Sequence, residues 1–410
     1  MELKKFPIGF WNYTPTGMLG ADAVKDWKDL GMTFALSPEY FDGCDKNDML
    51  AILDECAKEE IPVIICDHRT RFWGASKNPE KAEADFKAAY DDFGHHPATL
   101  GFHVGDEPWG EERFDDAITE HNIQLKVAPD LTPHLNFLPY WAGQEEGLGY
   151  PTFTDWAKAM AEKTKLKILC YDCYSQMNPE EEGTNNYYLN LRKFSEAADA
   201  TGITPWTTLL SVGHFRYRVP NEDDLRWQLN TAVASGMKGI MWFFIYMRAP
   251  KSNYRLSPID EFGERTETFT YMSRVNRHFL HQFGDFFMNA EHLATYHTVK
   301  AYGGYGLFEE NKTDDRLINV TCDQNIPAVV GIFRLDGKKY YAVVNNSVKE
   351  SGMFKLHIAK NSGKLLRYNW NLSLSDMKFD RWDAFYGETE FEEIGGDWLA
   401  PGQLKLYTIE

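Results

Sequence analysis

The sequence predicts a (β/α)8 TIM barrel over residues 1–290, followed by an antiparallel β-sandwich over residues 291–410. Eight near-continuous apolar runs recur along the first part, each trailed by an amphipathic stretch, which is the pattern of a parallel sheet covered by helices. Several of those stretches end in Gly just before the next run, a helix-stop signal. After about residue 290 the texture changes to short alternating runs separated by turn residues.

In order, the runs are FPIGFWNY (6–13), MTFALSPEY (32–40), PVIICDHR (62–69), LGFHVGDEP (100–108), PHLNFLPYW (133–141), LKILCYDCY (166–174), TPWTTLLSV (204–212) and GIMWFFIY (239–246). Helices are expected between them in stretches such as ADAVKDWKDLG, DMLAILDECAKEE, AEADFKAAYDDFG, TFTDWAKAMAEK, NYYLNLRKFSEAADATG and NEDDLRWQLNTAVASG. Eight such units in roughly 250–290 residues fit a closed barrel. An open doubly wound sheet is the competing arrangement, but no Gly-rich phosphate loop follows the first run. RTETFTYMSRVNRHFLHQFGDFF reads as the last barrel helix, packing onto the next domain. IPAVVGIFRLDG, KKYYAVVNNS, MFKLHIAK, GKLLRYNWN and GQLKLYTIE alternate with period two and break at LDG, NNS and NSG, as sandwich strands do.

Composition narrows the partners. The 61 acidic and 43 basic side chains give a net charge of −18, a field that repels phosphate backbones and anionic lipid. Nucleic acid and membrane are therefore not expected as partners. The start MELKKFPIGFW has no secretory apolar core, and GIMWFFIYM (239–247) is half a membrane span or less, so a cytoplasmic protein is expected. Cys170 and Cys173 form an isolated C-x-x-C along one strand, and the six cysteines read as reduced thiols rather than a disulfide framework or metal centre. The 12 Trp, 21 Tyr and 27 Phe exceed what packing usually needs, and rings that stack on flat ligands are one use for the excess.

In a parallel barrel the functional side chains stand at the C-terminal ends of the strands. Those ends carry Trp11 and Tyr13; Glu39 and Tyr40; Asp67, His68 and Arg69; His103, Asp106, Glu107 and Trp109; Asn136, Tyr140 and Trp141; Asp172 and Tyr174; His214 and Arg216; Trp242 and Tyr246. Acids and His that can hold hydroxyls, ringed by Trp and Tyr that can cover apolar faces, suit a polyhydroxylated ligand such as a carbohydrate. Glu39, Asp67, His68, His103 and His214 are the expected hydroxyl binders. Trp11, Trp109, Trp141, Tyr174, Trp206, Trp242 and Tyr246 are the expected stacking surfaces, each with a core role as the alternative.

The sharpest element is GFHVGDEPW at 101–109. It resembles the end of the fourth strand in the clan A glycoside hydrolases, (β/α)8 enzymes with an acid/base Glu in an Asn-Glu-Pro-like motif. The resemblance implies that Glu107 is the acid/base and Pro108 the family Pro, with Asp106 standing where Asn is usual. DWLAPGQLKLYTIE is similar to the closing strands of the β-sandwich that many bacterial enzymes of this kind carry. The implied function is O-glycosidic bond hydrolysis by carboxylates, with no cofactor or metal.

Glycoside cleavage wants an acid for the leaving oxygen and a second carboxylate. The resemblance implies a nucleophilic Glu closing the seventh strand, but TTLLSVGHFRYR (207–218) holds no acid. Asp172 in ILCYDCY is the best replacement. Two strand spacings of about 4.8 Å separate the fourth and sixth strands by roughly 9 Å, and a carboxyl gap of about 6.5–9.5 Å slightly favours inversion, with retention the alternative if the side chains lean together. Bland roles compete: an ion pair with a rim Arg for Glu107, and a grip on Arg69, His134 or a strand-end amide for Asp172. Asp106 is read as a hydroxyl binder, with the working acid or a helix cap as alternatives, because neighbours on a regular strand face opposite ways. Two other functions remain open. Asp67, His68, His103, Glu107, His134 and Asp172 could converge on a metal in a hydrolase or isomerase. The missing seventh-strand acid fits a non-catalytic carbohydrate-binding protein on a glycosidase scaffold.

Overall fold

The computed structural model describes residues 3–248, 253–380 and 384–410. Eight parallel strands form the first sheet: β1 (Ile8–Phe10), β2 (Ala35–Tyr40), β3 (Val63–Asp67), β4 (Thr99–Asp106), β5 (His134–Phe137), β6 (Ile168–Asp172), β7 (Thr204–Leu210) and β8 (Gly239–Phe243). Each falls inside its predicted run, except that β4 starts one residue earlier, at Thr99. The sheet runs β1-β8-β7-β6-β5-β4-β3-β2, and the β1–β2 seam is closed by Thr33. Its N–H donates to Ile8 O (2.8 Å), while its hydroxyl accepts from Ile8 N–H (2.8 Å) and donates to Phe6 O (2.8 Å). The chain is thus a (β/α)8 barrel followed by a β-sandwich.

Strand alternation divides the core in two. Inward residues such as Leu36, Ile64, Cys66, Cys170, Trp206, Met241 and Phe243 fill the barrel, and outward ones such as Phe10, Ile65, Leu169 and Trp242 pack under the helices. The helix Glu222–Ala234 begins with a capping box between Asn221 and Asp224 and is buried along most of its length, since barrel and sandwich cover it from two sides. Its Trp227 Nε1 donates to Asn346 (2.8 Å), Asn230 donates to Gly402 O (2.8 Å) and Arg226 donates to Pro401 O (2.9 Å). The helix Glu267–Phe279 lies in the predicted last barrel segment.

Among the described residues the C-terminal part forms a seven-stranded and a four-stranded antiparallel-dominated sheet. The strands Ala328–Leu335, Lys338–Asn345 and Leu404–Ile409 turn Val329, Phe333, Val344 and Leu406 toward the barrel helices. They turn Val330, Ile332, Val343 and Tyr407 toward the second sheet. One sheet therefore serves two cores. No helix among the described residues is long and apolar enough to cross a membrane.

Thr33→Val keeps the shape of the seam and deletes its hydroxyl. The expected result is a loss of about 1–2 kcal/mol in urea unfolding at unchanged m, because Ile8 N–H loses its acceptor.

Candidate active site

Three carboxyl groups meet at the C-terminal mouth of the barrel, brought there by an irregularity in β4. Its register with β5 shifts between His103 and Gly105, and Glu107 takes a left-handed φ of 47°. At Gly105 a Cβ would lie 2.2 Å from the Phe72 ring, so only glycine fits. Glu107 N–H donates to Asn136 O (2.9 Å), which anchors the turn. On a regular strand Asp106 and Glu107 would face opposite ways; with the bulge both join the same cluster.

Asn136 on β5 organises that cluster. Its Nδ2 donates to Asp106 Oδ1 (3.0 Å) and to Asp172 Oδ1 (2.8 Å). The carboxyls of Asp172 and Glu107 lie within side-chain hydrogen-bond reach of each other, so the pair titrates together. Burial, then the charges of Glu107 and Asp106, push Asp172 well above the usual carboxylate range. Burial and the charge of Asp106 raise Glu107 to about 7. Burial also raises Asp106, opposed by the Asn136 hydrogen bond and by the positive charge of Arg71. Like charges this close cannot all ionise at neutral pH. Glu107 and Asp172 are in side-chain contact, the lean that the sequence allows as the alternative to a water-sized gap.

Beside the cluster lies a cavity of about 310 Å3 lined by Trp11, Asn12, Tyr13, Glu39, Cys66, His68, Arg71, Trp73 and Asp106. Trp11 and Tyr13 stack at 5.9 Å. Glu39 Oε1 lies 3.5 Å from Arg71, and Glu39 Oε2 lies 3.9 Å from the half-exposed His68. Tyr174 packs on Phe243 (5.1 Å) beside Asp172, and burial followed by the charge of Asp172 raises its hydroxyl well above 10. His214 stacks on Tyr254 (4.7 Å) at the β7 side of the mouth. Trp109 and Trp141 form an exposed pair 4.8 Å apart. A larger cleft of about 720 Å3 lies between the helix Glu267–Phe279 and the sandwich, where Arg226 and Arg274 pair with Glu222. It contains no carboxyl pair and is remote from the strand ends.

Four expected site residues are placed elsewhere. Asp67 is fully buried and its carboxylate is taken up by Arg69, through Nε (3.1 Å), Nη2 (2.7 Å) and the backbone N–H (2.8 Å). His103 lies inside the barrel beneath the carboxyls, its Nδ1 2.9 Å from Nδ1 of His134, and burial holds both rings neutral. Trp242 points outward and donates to Asn276 Oδ1 (3.1 Å). Tyr246, also outside the barrel, accepts from Trp27 Nε1 (2.7 Å). For Trp242 the reason is parity: Met241 and Phe243 face inward, so the residue between them cannot.

Sequence reading named Asn136 and Tyr13 only as strand-end residues and missed Arg71, Asn12 and Trp73. Arg71 is four residues past β3, and only the turn His68–Thr70 returns it to the mouth, tied by Thr70 Oγ1 to Asp67 O (2.9 Å) and His103 O (3.1 Å). Among the described residues no three His, Cys, Asp or Glu side chains are arranged to hold a metal ion.

No protein-family model matches the chain, and no curated protein matches it in sequence. Solved structures do match in shape. A glycoside hydrolase family 5 protein from Bacteroides vulgatus superposes with a TM-score of 0.58 at 12% identity, covering 98% of this chain and 88% of its own. A second structure, described as a glycoside hydrolase, gives 0.57 at 11% identity over 99% and 92% of the two chains. At these identities the likeness establishes the fold: both domains, in this order, form one architecture found among glycoside hydrolases.

Proposed function

We propose that the protein is a glycoside hydrolase that cleaves an O-glycosidic bond by carboxyl catalysis at the mouth of the barrel. The observation that carries this reading is the meeting of three carboxyl groups, Asp106, Glu107 and Asp172, around Asn136, next to a cavity lined by rings and hydroxyl-binding groups. Glu107 is the most open of the three acids and serves as general acid. Its proton goes to the glycosidic oxygen as the C–O bond breaks, and Asp172 resupplies it. Water adds to the anomeric carbon and gives its proton to a carboxylate of the cluster. Asp106, which lines the cavity and whose upward shift by burial is opposed by Asn136 and Arg71, takes that proton and steadies positive charge at the anomeric carbon. Asp172 acts here as the second carboxyl of a proton-holding pair rather than as an acid across the scissile bond. The similarity in fold to glycoside hydrolases agrees with this assignment.

Hydrolysis of aryl glycosides and natural oligosaccharides by the wild type, Glu107→Gln and Asp172→Asn tests it. Glu107→Gln is expected to lose about 10²–10⁴-fold in kcat, and Asp172→Asn is expected to be impaired. Sugar binding without turnover by the wild type would instead favour a carbohydrate-binding protein. The general acid must carry its proton, so wild-type kcat/KM falls as pH rises through about 7.

The same shift predicts a stability effect. A carboxyl raised in the folded state binds its proton more tightly there than in the unfolded chain, so folding loses stability as pH rises from the ordinary Glu range to about 7. Glu107→Gln should therefore unfold at higher urea than wild type at pH 8, with the difference shrinking toward pH 4.

A further inference from the structure

The mouth of the barrel is not symmetric about its acids. On the β1–β3 side the cavity is small, at the bottom of the roughly 300–1,000 Å3 range of ligand pockets. Its lining combines the rings of Trp11, Tyr13 and Trp73 with the polar groups of Asn12, Glu39, His68, Arg71 and Asp106. Glu39 offers two carboxylate oxygens. Arg71, only 16% exposed in its side chain, has a single ion pair among the described residues, the 3.5 Å contact with Glu39. A carboxylate and a guanidinium side by side are a matched receptor for adjacent hydroxyls, one accepting and the other donating. The space suits one sugar ring, with Asp106 among the residues that line it.

The other side is open. Trp109 follows β4 and Trp141 follows β5; each is 40% exposed, and their rings lie 4.8 Å apart. Trp109 also rests against Gly147, where a Cβ would lie 2.9 Å from the indole, so the helix Gln144–Leu148 supports the pair. These large apolar rings, inclined at 54° to each other and left in solvent with Trp109 two residues past Glu107, form an open angled platform, not a pocket. They bury one face of whatever leaves the site without enclosing it.

Resting on the glycosidase reading, we propose that the protein is exo-acting. The terminal sugar sits in the Glu39–Arg71 pocket, the leaving-group sugar lies on the Trp109–Trp141 platform, and single residues are trimmed from the ends of oligosaccharide chains.

The test compares an oligosaccharide with the glycosyl fluoride of the same terminal sugar, whose leaving group is one atom and cannot reach the platform. In Trp109→Ala/Trp141→Ala, the ratio of kcat/KM for the oligosaccharide to that for the fluoride is expected to fall at least tenfold. In Glu39→Gln and Arg71→Met, kcat/KM falls for both substrates and the ratio stays within about threefold. Monosaccharide is expected as the sole early product from a tetrasaccharide or longer. Mixed early products, or an unchanged ratio in the tryptophan double variant of unaltered thermal stability, would overturn the assignment. Failure of the catalytic reading shows separately: Glu107→Gln would then hydrolyse both substrates like wild type, or wild type would hydrolyse neither.

Discussion

A single amide group, Nδ2 of Asn136, holds two carboxylates apart and in place, one proton donated to Asp106 and the other to Asp172. Without it, three acids from β4 and β6 would face one another in a poorly solvated site with Arg71 as their nearest compensation, and the cheapest relief would be protonation or displacement. With it, two of the carboxyls are fixed at hydrogen-bond distance from one group. The third, Glu107, completes the cluster through Asp172. Its backbone N–H donates to the carbonyl of the same Asn136, so this residue sets both the charge state and the chain path of the site.

That arrangement costs stability and needs a stiff frame. Beneath the carboxyls, His103 and His134 share a hydrogen bond in a layer with Trp11 and Trp206, so the floor of the site is ring against ring. Outside, the helix Glu222–Ala234 is clamped between the barrel and a sheet whose two faces serve two cores. The sandwich contributes no residue to the cavity beside the acids. Its evident work is to cover helices that would otherwise expose apolar faces.

The likeness to glycoside hydrolases of known structure spans nearly the whole chain at about a tenth identity. At that distance the shared property is the packing of layers, which many sequences satisfy. In this chain the acids cluster on β4 and β6, and β7 runs into Leu-Leu-Ser-Val without a carboxylate.

The sequence by itself determined the fold. Period-two and period-3.6 patterning with Gly stops depends only on residues near one another in the chain, and eight repeats leave one closed parallel solution. It also singled out Glu107, Asp106 and Asp172, because the strand-end rule converts a one-dimensional list into a ring of candidates. Which candidates face the ring was decided by the tertiary structure. Trp242 was lost to parity, Tyr246 to Trp27, Asp67 to Arg69 and His103 to depth, while Arg71 was gained through a turn that folds back toward the mouth. The meeting of Glu107 with Asp172 was likewise legible only in three dimensions. It depends on a one-residue slip in β4 and on the lean of two side chains, which leave no trace in residue spacing but bring the carboxyls into one cluster.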